Sequence, residues 1–172
     1  GALDCGGITP VNYISGEIVT HLDAGVPLLL RRPDSAFTLA NFMRANIYSA
    51  FATLAMGLEI LRKENVAVNT LLGHGGIFKT PGVAQRYLAA AAGAPVTCME
   101  TAGEGGSYGM ALLAAYRLHR VDGETLAAYL NRCVFADAQS TTLFPDPAEQ
   151  SGFAAFLTQY QTALKAERAV VK

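Results

Sequence analysis

The chain has 172 residues, 51% of them hydrophobic, a length and composition that fit one domain with a buried core. Its net charge of −1 argues against a nucleic-acid partner, because binding through phosphate neutralisation requires a basic surface. The three cysteines, Cys5, Cys98 and Cys133, have no spacing typical of a zinc site or a disulfide framework, so we expect a reducing, cytoplasmic setting.

The first third of the chain predicts two short strands and then a long helix. Residues 8–14 and 26–30 have the composition of strands, and three consecutive leucines predict that the second strand is buried on both faces. From residue 35, apolar residues at steps of three and four predict a helix of roughly 28 residues that packs against a sheet. A coiled coil is the alternative, but Gly57 and several alanines interrupt a strict heptad. The predicted apolar stripe consists of Phe37, Ala40, Met43, Ile47, Phe51, Leu54, Leu58 and Leu61.

The middle of the chain alternates between predicted strands and helices. Residues 66–72 and 96–99 predict strands, whereas residues 80–92 and 104–120 predict helices. This alternation indicates an α/β fold with a mainly parallel sheet and crossover helices.

Two extra helices are predicted towards the C-terminus. The first is short and covers residues 125–133, and the second follows the helix-breaking segment 144–147. No segment is apolar for long enough to span a membrane, so we expect no membrane partner. The second of these helices has an apolar stripe formed by Phe153, Phe156, Leu157, Tyr160 and Leu164.

Residues 75–82 are the most informative stretch, because they connect a predicted strand to a predicted helix. The glycine pair Gly75-Gly76 lets the backbone approach a flat or anionic ligand, and the helix that follows presents free N–H groups and a partial positive charge. An ordinary tight turn is the alternative interpretation.

A second glycine cluster, Gly103, Gly105, Gly106 and Gly109, lies at the start of the next predicted helix. Glycine in a helix costs up to about 1 kcal/mol relative to alanine, so something must offset that cost. Two explanations are open. A nucleotide lies across this helix N-terminus, or the helix packs tightly against Tyr87 or the sheet.

Four sequence blocks occur in one order: the Gly-Gly-x-x-Lys-Thr-Pro block at 75–81, Gln85, the Gly-x-Pro-Val block at 93–96 and the segment 104–114. Together they resemble the C-terminal half of FGGY-family carbohydrate kinases, and the resemblance covers most of the chain. The segment Tyr-Ile-Ser-Gly-Glu at 13–17 is similar to a segment of the pentulose kinases in that family.

The resemblance implies a ribonuclease H-like, actin-like ATPase domain over residues 1–172, namely the C-terminal, nucleotide-side domain of a two-domain kinase. The intact enzyme would use ATP and Mg²⁺ to phosphorylate a ketopentose such as xylulose or ribulose, and this half would hold the adenine and the ribose. The implied nucleotide-binding residues are Gly75, Gly76, Ile77, Phe78, Lys79, Pro81, Gln85, Gly103 and Glu104.

The resemblance also implies what this chain does not contribute. The catalytic base, the phosphate loop and most sugar contacts are expected outside it, and the chain lacks an initiator methionine, so we expect an inactive fragment that self-associates through residues 1–30. Bulk at Ile77 and Phe78 is expected to narrow the adenine pocket. The alternative function is a non-catalytic, actin-like interaction or regulatory module in which the glycine loop is only structural.

Overall fold

The computed structural model describes residues 1–171 of the chain. Its strands are β1 (Ile8–Val11), β2 (Leu28–Arg31), β3 (Leu71–Leu72), β4 (Val96–Met99) and β5 (Ser140–Leu143). Its α-helices are α1 (Leu39–Lys63), α2 (Val83–Ala92), α3 (Gly105–His119), α4 (Leu126–Cys133) and α5 (Pro147–Val170). Short 3-10 turns, Cys5–Gly7, Gly76–Lys79 and Glu100–Glu104, precede β1, α2 and α3.

The strands form two separate small sheets, which confirms the α/β class but corrects the sheet prediction. β1 pairs with β2 in antiparallel orientation, whereas β4 pairs in parallel with β3 and antiparallel with β5. Among residues 1–171 only the β3–β4 pairing is parallel, so the prediction of a mainly parallel sheet is wrong. The reason is connectivity. A crossover helix, α2, joins β3 to β4, whereas α3 and α4 return the chain to β4 in the opposite direction.

Several strands are shorter or more exposed than predicted. β1 ends at Val11, and β3, an edge strand whose one partner is β4, covers only Leu71–Leu72. β2 also pairs only with β1, and its Leu29 and Leu30 are 43% and 38% exposed. The prediction that β2 is buried on both faces is therefore wrong. β4 has the predicted bounds.

Helix α1 buries a different face from the predicted one. Phe37, which precedes the helix, and Met43 and Leu54 within it are 52%, 53% and 43% exposed. Phe51 and Leu58 are the buried members of the predicted stripe. The small side chains allow β1, α2 and α5 to approach α1 closely, so burial follows the alanines rather than the largest apolar residues. The buried face consists of Asn41, Ala45, Tyr48, Ser49, Phe51, Ala52, Ala55 and Leu58.

The main core lies between α1, α2, α5 and β1, and the ring of Tyr48 is at its centre. Its ring centroid lies 5.0 Å from that of Phe153 and 5.4 Å from that of Phe156, in edge-to-face geometry. The predicted stripe of α5 is confirmed, because Phe153, Phe156, Tyr160 and Leu164 are buried. Leu157 is half-buried against them.

A buried charge network ties the three core helices together. Glu149 on α5 is 1% exposed, and its carboxylate oxygens lie 2.6 Å from Arg44 Nη1 on α1 and 2.7 Å from Arg86 Nη2 on α2. The hydroxyl of Tyr48 donates a further hydrogen bond of 2.9 Å to the same carboxylate. Removing one member of such a network leaves a buried group without its partner, which is costly.

The segment 13–17 lies in the loop between β1 and β2. Side chains of α5 form hydrogen bonds to the backbone of this loop. The backbone N–H of Val26 donates to Glu167 Oε1 at 2.7 Å, and the Arg168 guanidinium donates to the carbonyl of Thr20 at 2.6 Å. Within residues 1–171, no helix is both long and apolar enough to cross a bilayer.

Candidate functional site

A cleft of about 720 Å³ opens where α2 begins and β4 ends. Three stretches of chain form its walls: residues 78–85, residues 98–104 and residues 139–141. Its lining residues are Phe78, Lys79, Thr80, Pro81, Gly82, Gln85, Cys98, Met99, Glu100, Ala102, Gly103, Glu104, Gln139, Ser140 and Thr141. The volume lies within the range typical of small-molecule sites.

Most of the residues selected from the sequence lie in this cleft, although three do not line it. Phe78, Lys79, Pro81, Gln85, Gly103 and Glu104 form part of its walls. Gly75, Gly76 and Ile77 are not among its lining residues, and Ile77 is 41% exposed. Of the two bulky residues expected to narrow the pocket, only Phe78 therefore forms part of its wall.

The two glycine segments pack against each other beside the cleft. The N–H of Gly75 donates to the carbonyl of Ala102 at 2.7 Å, and a β-carbon added at Gly105 would lie 3.4 Å from Gly75 Cα. A β-carbon at Gly103 would lie 3.0 Å from Lys79 Cγ. Gly75 and Gly105 also have φ angles of +105° and +47°, which favour glycine.

The second glycine cluster was expected either to border a nucleotide or to allow tight packing of its helix. Tight packing occurs at Gly103 and Gly105, but it is directed at the 75–79 turn and not at Tyr87, which contacts Tyr48 instead. A β-carbon at Gly106 or Gly109 would meet no atom within 4 Å.

The helices that begin beside the cleft have no side-chain caps. Gly82 precedes α2 in a left-handed conformation and Glu104 precedes α3, and neither side chain bonds to the first turn of its helix. Uncapped N–H groups and the positive end of the helix dipole favour a ligand that carries oxygen atoms or negative charge. The other α-helices are capped by the side chains of Thr38, Thr125 and Asp146.

The cleft carries charges of both signs. Lys79 is exposed, and no ion pair joins it to another residue among those that the structure describes. Glu100 and Glu104 are exposed carboxylates of the second wall. An anionic group is therefore favoured near Lys79 and α2, whereas hydroxyl groups that donate hydrogen bonds are favoured near the glutamates.

Gln85 forms part of the cleft wall, and both its amide nitrogen and its amide oxygen are hydrogen-bonded to protein groups. It is 3% exposed, and its Nε2 donates to the carbonyls of Val96 and Thr141, both at 2.8 Å. Its Oε1 accepts a hydrogen bond of 3.3 Å from Thr141 Oγ1. The family resemblance implies that Gln85 belongs to the nucleotide site as a residue that supports the glycine loop, and in the structure its polar atoms join α2 to β4 and β5.

The third wall, residues 139–141, was missed from the sequence because β5 was not predicted. The run Ser140-Thr141-Thr142-Leu143 just before Phe144-Pro145 is a short β-branched segment next to a breaker, a pattern that favours a strand. Cys98 forms part of the second wall, and burial raises the pKa of its thiol, an effect partly opposed by the N–H of Gly73.

The sequence profile of the C-terminal domain of the FGGY family of carbohydrate kinases matches residues 1–118. The chain therefore belongs to the FGGY family of carbohydrate kinases. No curated protein sequence matches the chain.

The fold is similar to that of solved sugar kinase structures. For the xylulose kinase from Rhodospirillum rubrum the TM-score is 0.65 at 16% identity, and the match covers 97% of this chain and 32% of that one. For a xyloylose kinase from Brucella ovis the TM-score is 0.70 at 18% identity, and the match covers 97% of this chain and 33% of that one. For the gluconate kinase from Lactobacillus acidophilus the TM-score is 0.66 at 18% identity, and the match covers 96% of this chain and 32% of that one. The chain thus spans about a third of the length of these proteins, and at such identities the likeness shows the fold alone.

Proposed function

We propose that this chain is the C-terminal, nucleotide-side domain of a two-domain kinase that transfers the γ-phosphoryl group of ATP to a sugar hydroxyl. Membership of the FGGY carbohydrate kinases supports the reaction class. The cleft supports the nucleotide side, because the uncapped N-terminus of α2 and the unpaired cation of Lys79 converge there in the described part of the chain, with the Gly75-Gly76 turn beside it. That convergence is the observation that carries the proposal.

The chemistry of the walls suggests how a nucleotide lies in the cleft. The ring of Phe78 offers an apolar surface for the base. Lys79 and the first turn of α2 attract the phosphates, since both present positive charge. The carboxylate of Glu104 repels phosphate but accepts hydrogen bonds from ribose hydroxyls. In this arrangement the domain binds and orients the nucleotide, and the acceptor sugar is held mainly by the rest of the enzyme.

Mg²⁺ is part of the proposed reaction because it neutralises charge on the transferred phosphoryl group when bound. Among residues 1–171 there is no group of three or more His, Cys, Asp or Glu side chains that could hold a metal ion. Nucleotide-bound Mg²⁺ commonly takes its ligands from phosphates and only one or two carboxylates. Glu100 and Glu104 are the carboxylates that line this cleft.

We propose a ketopentose as the acceptor. The segment 13–17 resembles pentulose kinases, and one of the similar structures is named a xylulose kinase, whereas another is named a gluconate kinase. Steady-state assays of the intact protein with xylulose, ribulose and gluconate would test this choice. The proposal predicts the largest kcat/KM for one of the two ketopentoses, and a preference for gluconate would contradict it.

Calorimetric titration of the intact protein with ADP tests the nucleotide site itself. Lys79→Met should weaken ADP binding about tenfold, equivalent to about 1.4 kcal/mol. Lys165→Met is the matched control, because Lys165 is exposed on α5, away from the cleft, and should leave the affinity unchanged. A folded protein that binds no ADP would instead favour the non-catalytic interaction module.

A further inference from the structure

The third wall of the cleft lies outside the segment that matches the family. The family profile ends at residue 118, whereas Gln139, Ser140 and Thr141 lie in or next to β5. β5 pairs antiparallel with β4, and this register places Thr141 opposite Cys98. The cleft is therefore closed on one side by a segment that lies outside the match to the family's sequence profile.

One buried side chain connects this wall to the family-matched segment. Gln85 on α2 reaches both strands, because its Nε2 donates to Val96 of β4 and to Thr141 of β5, and its Oε1 accepts from the Thr141 hydroxyl. With 3% of the side chain exposed, water has little access to replace these bonds. Their loss would leave β5 paired with β4 through the ladder but no longer tied to α2, so we expect β5 to shift relative to the α2 wall of the cleft.

We infer that Gln85 is a positioning residue that fixes β5 as the third wall of the ligand cleft, so that residues 139–141 help to determine which ligand fits. This inference rests on the proposed nucleotide site for its functional part. Its structural part, the position of β5 relative to Cys98, is independent of any ligand. Gln85 acts through Thr141 and not by contact with the ligand, because its amide hydrogen bonds go to protein groups.

The same pair of strands provides a matched control. Neighbouring residues of a strand point to opposite faces of the sheet, and Thr142 bonds through its hydroxyl to Thr97 of β4 at 2.7 Å. This bond also joins β5 to β4, but it is exposed, and Thr142 does not line the cleft. Water replaces an exposed bond at little cost, so Thr142→Val should leave β5 in place.

The experiment compares Gln85→Met, Thr141→Val and Thr142→Val in the intact protein with two measurements. The first is the rate at which a maleimide labels Cys98, read by mass spectrometry on the Cys98 peptide, with exposed Cys133 as the internal reference. The second is the dissociation constant for ADP. For Gln85→Met we expect labelling at least about tenfold faster and ADP binding about tenfold weaker, the equivalent of 1.4 kcal/mol. Thr141→Val should also speed Cys98 labelling and weaken ADP binding, but to a smaller extent. Thr142→Val should change neither the labelling rate nor the ADP dissociation constant by more than about twofold.

A stability control separates positioning from general loosening. Leu164→Ala removes a buried side chain of α5, far from β5 in the fold, and should lower the melting temperature without faster Cys98 labelling. If Gln85→Met does not fold, Thr141→Val decides the question.

The outcomes separate this inference from the proposed function. Folded Gln85→Met with unchanged Cys98 labelling would overturn the inference, whatever the affinity for ADP. Faster labelling with an unchanged ADP dissociation constant would also overturn it, because β5 would then not shape the ligand cleft. If the wild-type protein binds no ADP, the nucleotide site is wrong, and the labelling rate still decides whether Gln85 positions β5.

Discussion

Two regions of the molecule satisfy their polar groups in opposite ways. In the part of the core built from α1, α5 and β1, the N-termini of α1 and α5 are capped by Thr38 and Asp146, and Tyr48, Phe156 and Tyr160 are completely buried. In the cleft region, formed by the start of α2, strands β3 to β5 and α3, the helix N-termini have no side-chain caps. Helix α3 buries none of its residues.

Stability and ligand binding therefore depend on different regions of the molecule. A capped, densely packed core holds its own shape, whereas uncapped N–H groups and glycine turns leave hydrogen-bonding capacity for a ligand. Binding residues are commonly held at the rim of a rigid scaffold in this way. Substitutions in the core should therefore change the free energy of unfolding, and substitutions in the cleft should change ligand affinity.

The largest effect is expected at Glu149, in the buried charge network. Glu149→Ala leaves the buried Arg44 guanidinium and the Tyr48 hydroxyl without their shared partner and should cost about 3–5 kcal/mol in the free energy of unfolding. Glu59→Ala is the control, because its ion pair with Arg62 is exposed and should contribute under about 1 kcal/mol. Urea denaturation of both variants would measure this, and equal losses would contradict the assignment of stability to the core.

The next effect concerns the glycine turn. Gly76→Ala adds a β-carbon that meets no atom within 4 Å, so the melting temperature should change little. If the backbone there approaches the nucleotide, the KM for ATP of the intact enzyme should rise about tenfold, equivalent to about 1.4 kcal/mol. Gly105→Ala should lower stability as well, because Gly105 has a φ of +47° and contacts Gly75. Equal losses of stability and affinity in Gly76→Ala would indicate a purely structural turn.

A smaller effect is expected at the exposed strand β2. Leu29 and Leu30 are exposed on a strand that pairs only with β1, and open apolar strand edges promote self-association. We predict that the isolated chain dimerises at micromolar concentration, and that Leu30→Lys reduces this in light scattering. Leu118→Lys is the control, since Leu118 is 77% exposed on α3. A monomeric wild-type chain would contradict the prediction.

The smallest effect is a pH dependence of core stability. Burial raises the pKa of Cys5 from 9.0 to about 12. Above pH 9 the unfolded state loses the thiol proton while the folded state keeps it. The contribution of the protonated Cys5 to the free energy of unfolding is therefore complete below pH 9 and declines as the pH rises towards 12. Cys5→Ala should flatten the decline in melting temperature over this interval relative to the wild type. An identical decline in both proteins would show that Cys5 does not cause it.

The sequence predicted elements whose local pattern and burial agree. The stripe of α5 and the bounds of β4 were correct, because large apolar residues there also face the core. The pattern failed on α1, where Ala45, Ala52 and Ala55 mark the buried face and Met43 does not. A pattern based on large apolar residues does not identify a helix face on which small side chains let neighbouring elements pack closely.

The candidate site was predicted in part for a similar reason. The turn at 75–79 and the cluster at 103–109 were recognisable as glycine segments, but their mutual contact joins distant parts of the chain and has no local pattern. The partnership of Gln85 with Thr141 likewise depends on the register of β5. Local sequence therefore indicated the candidate segments, and the tertiary fold determined which of their atoms remain free for a ligand.

Hydrogen exchange of the intact protein with and without ADP tests whether nucleotide binds in the cleft, because it measures the core and the cleft region in one experiment. We predict that ADP slows amide exchange in residues 76–85, 98–104 and 139–141 and leaves the exchange of α1 and α5 unchanged. Protection confined to the helical core, or no protection at any ADP concentration that calorimetry shows to bind the intact protein, would contradict the assignment of nucleotide binding to this cleft.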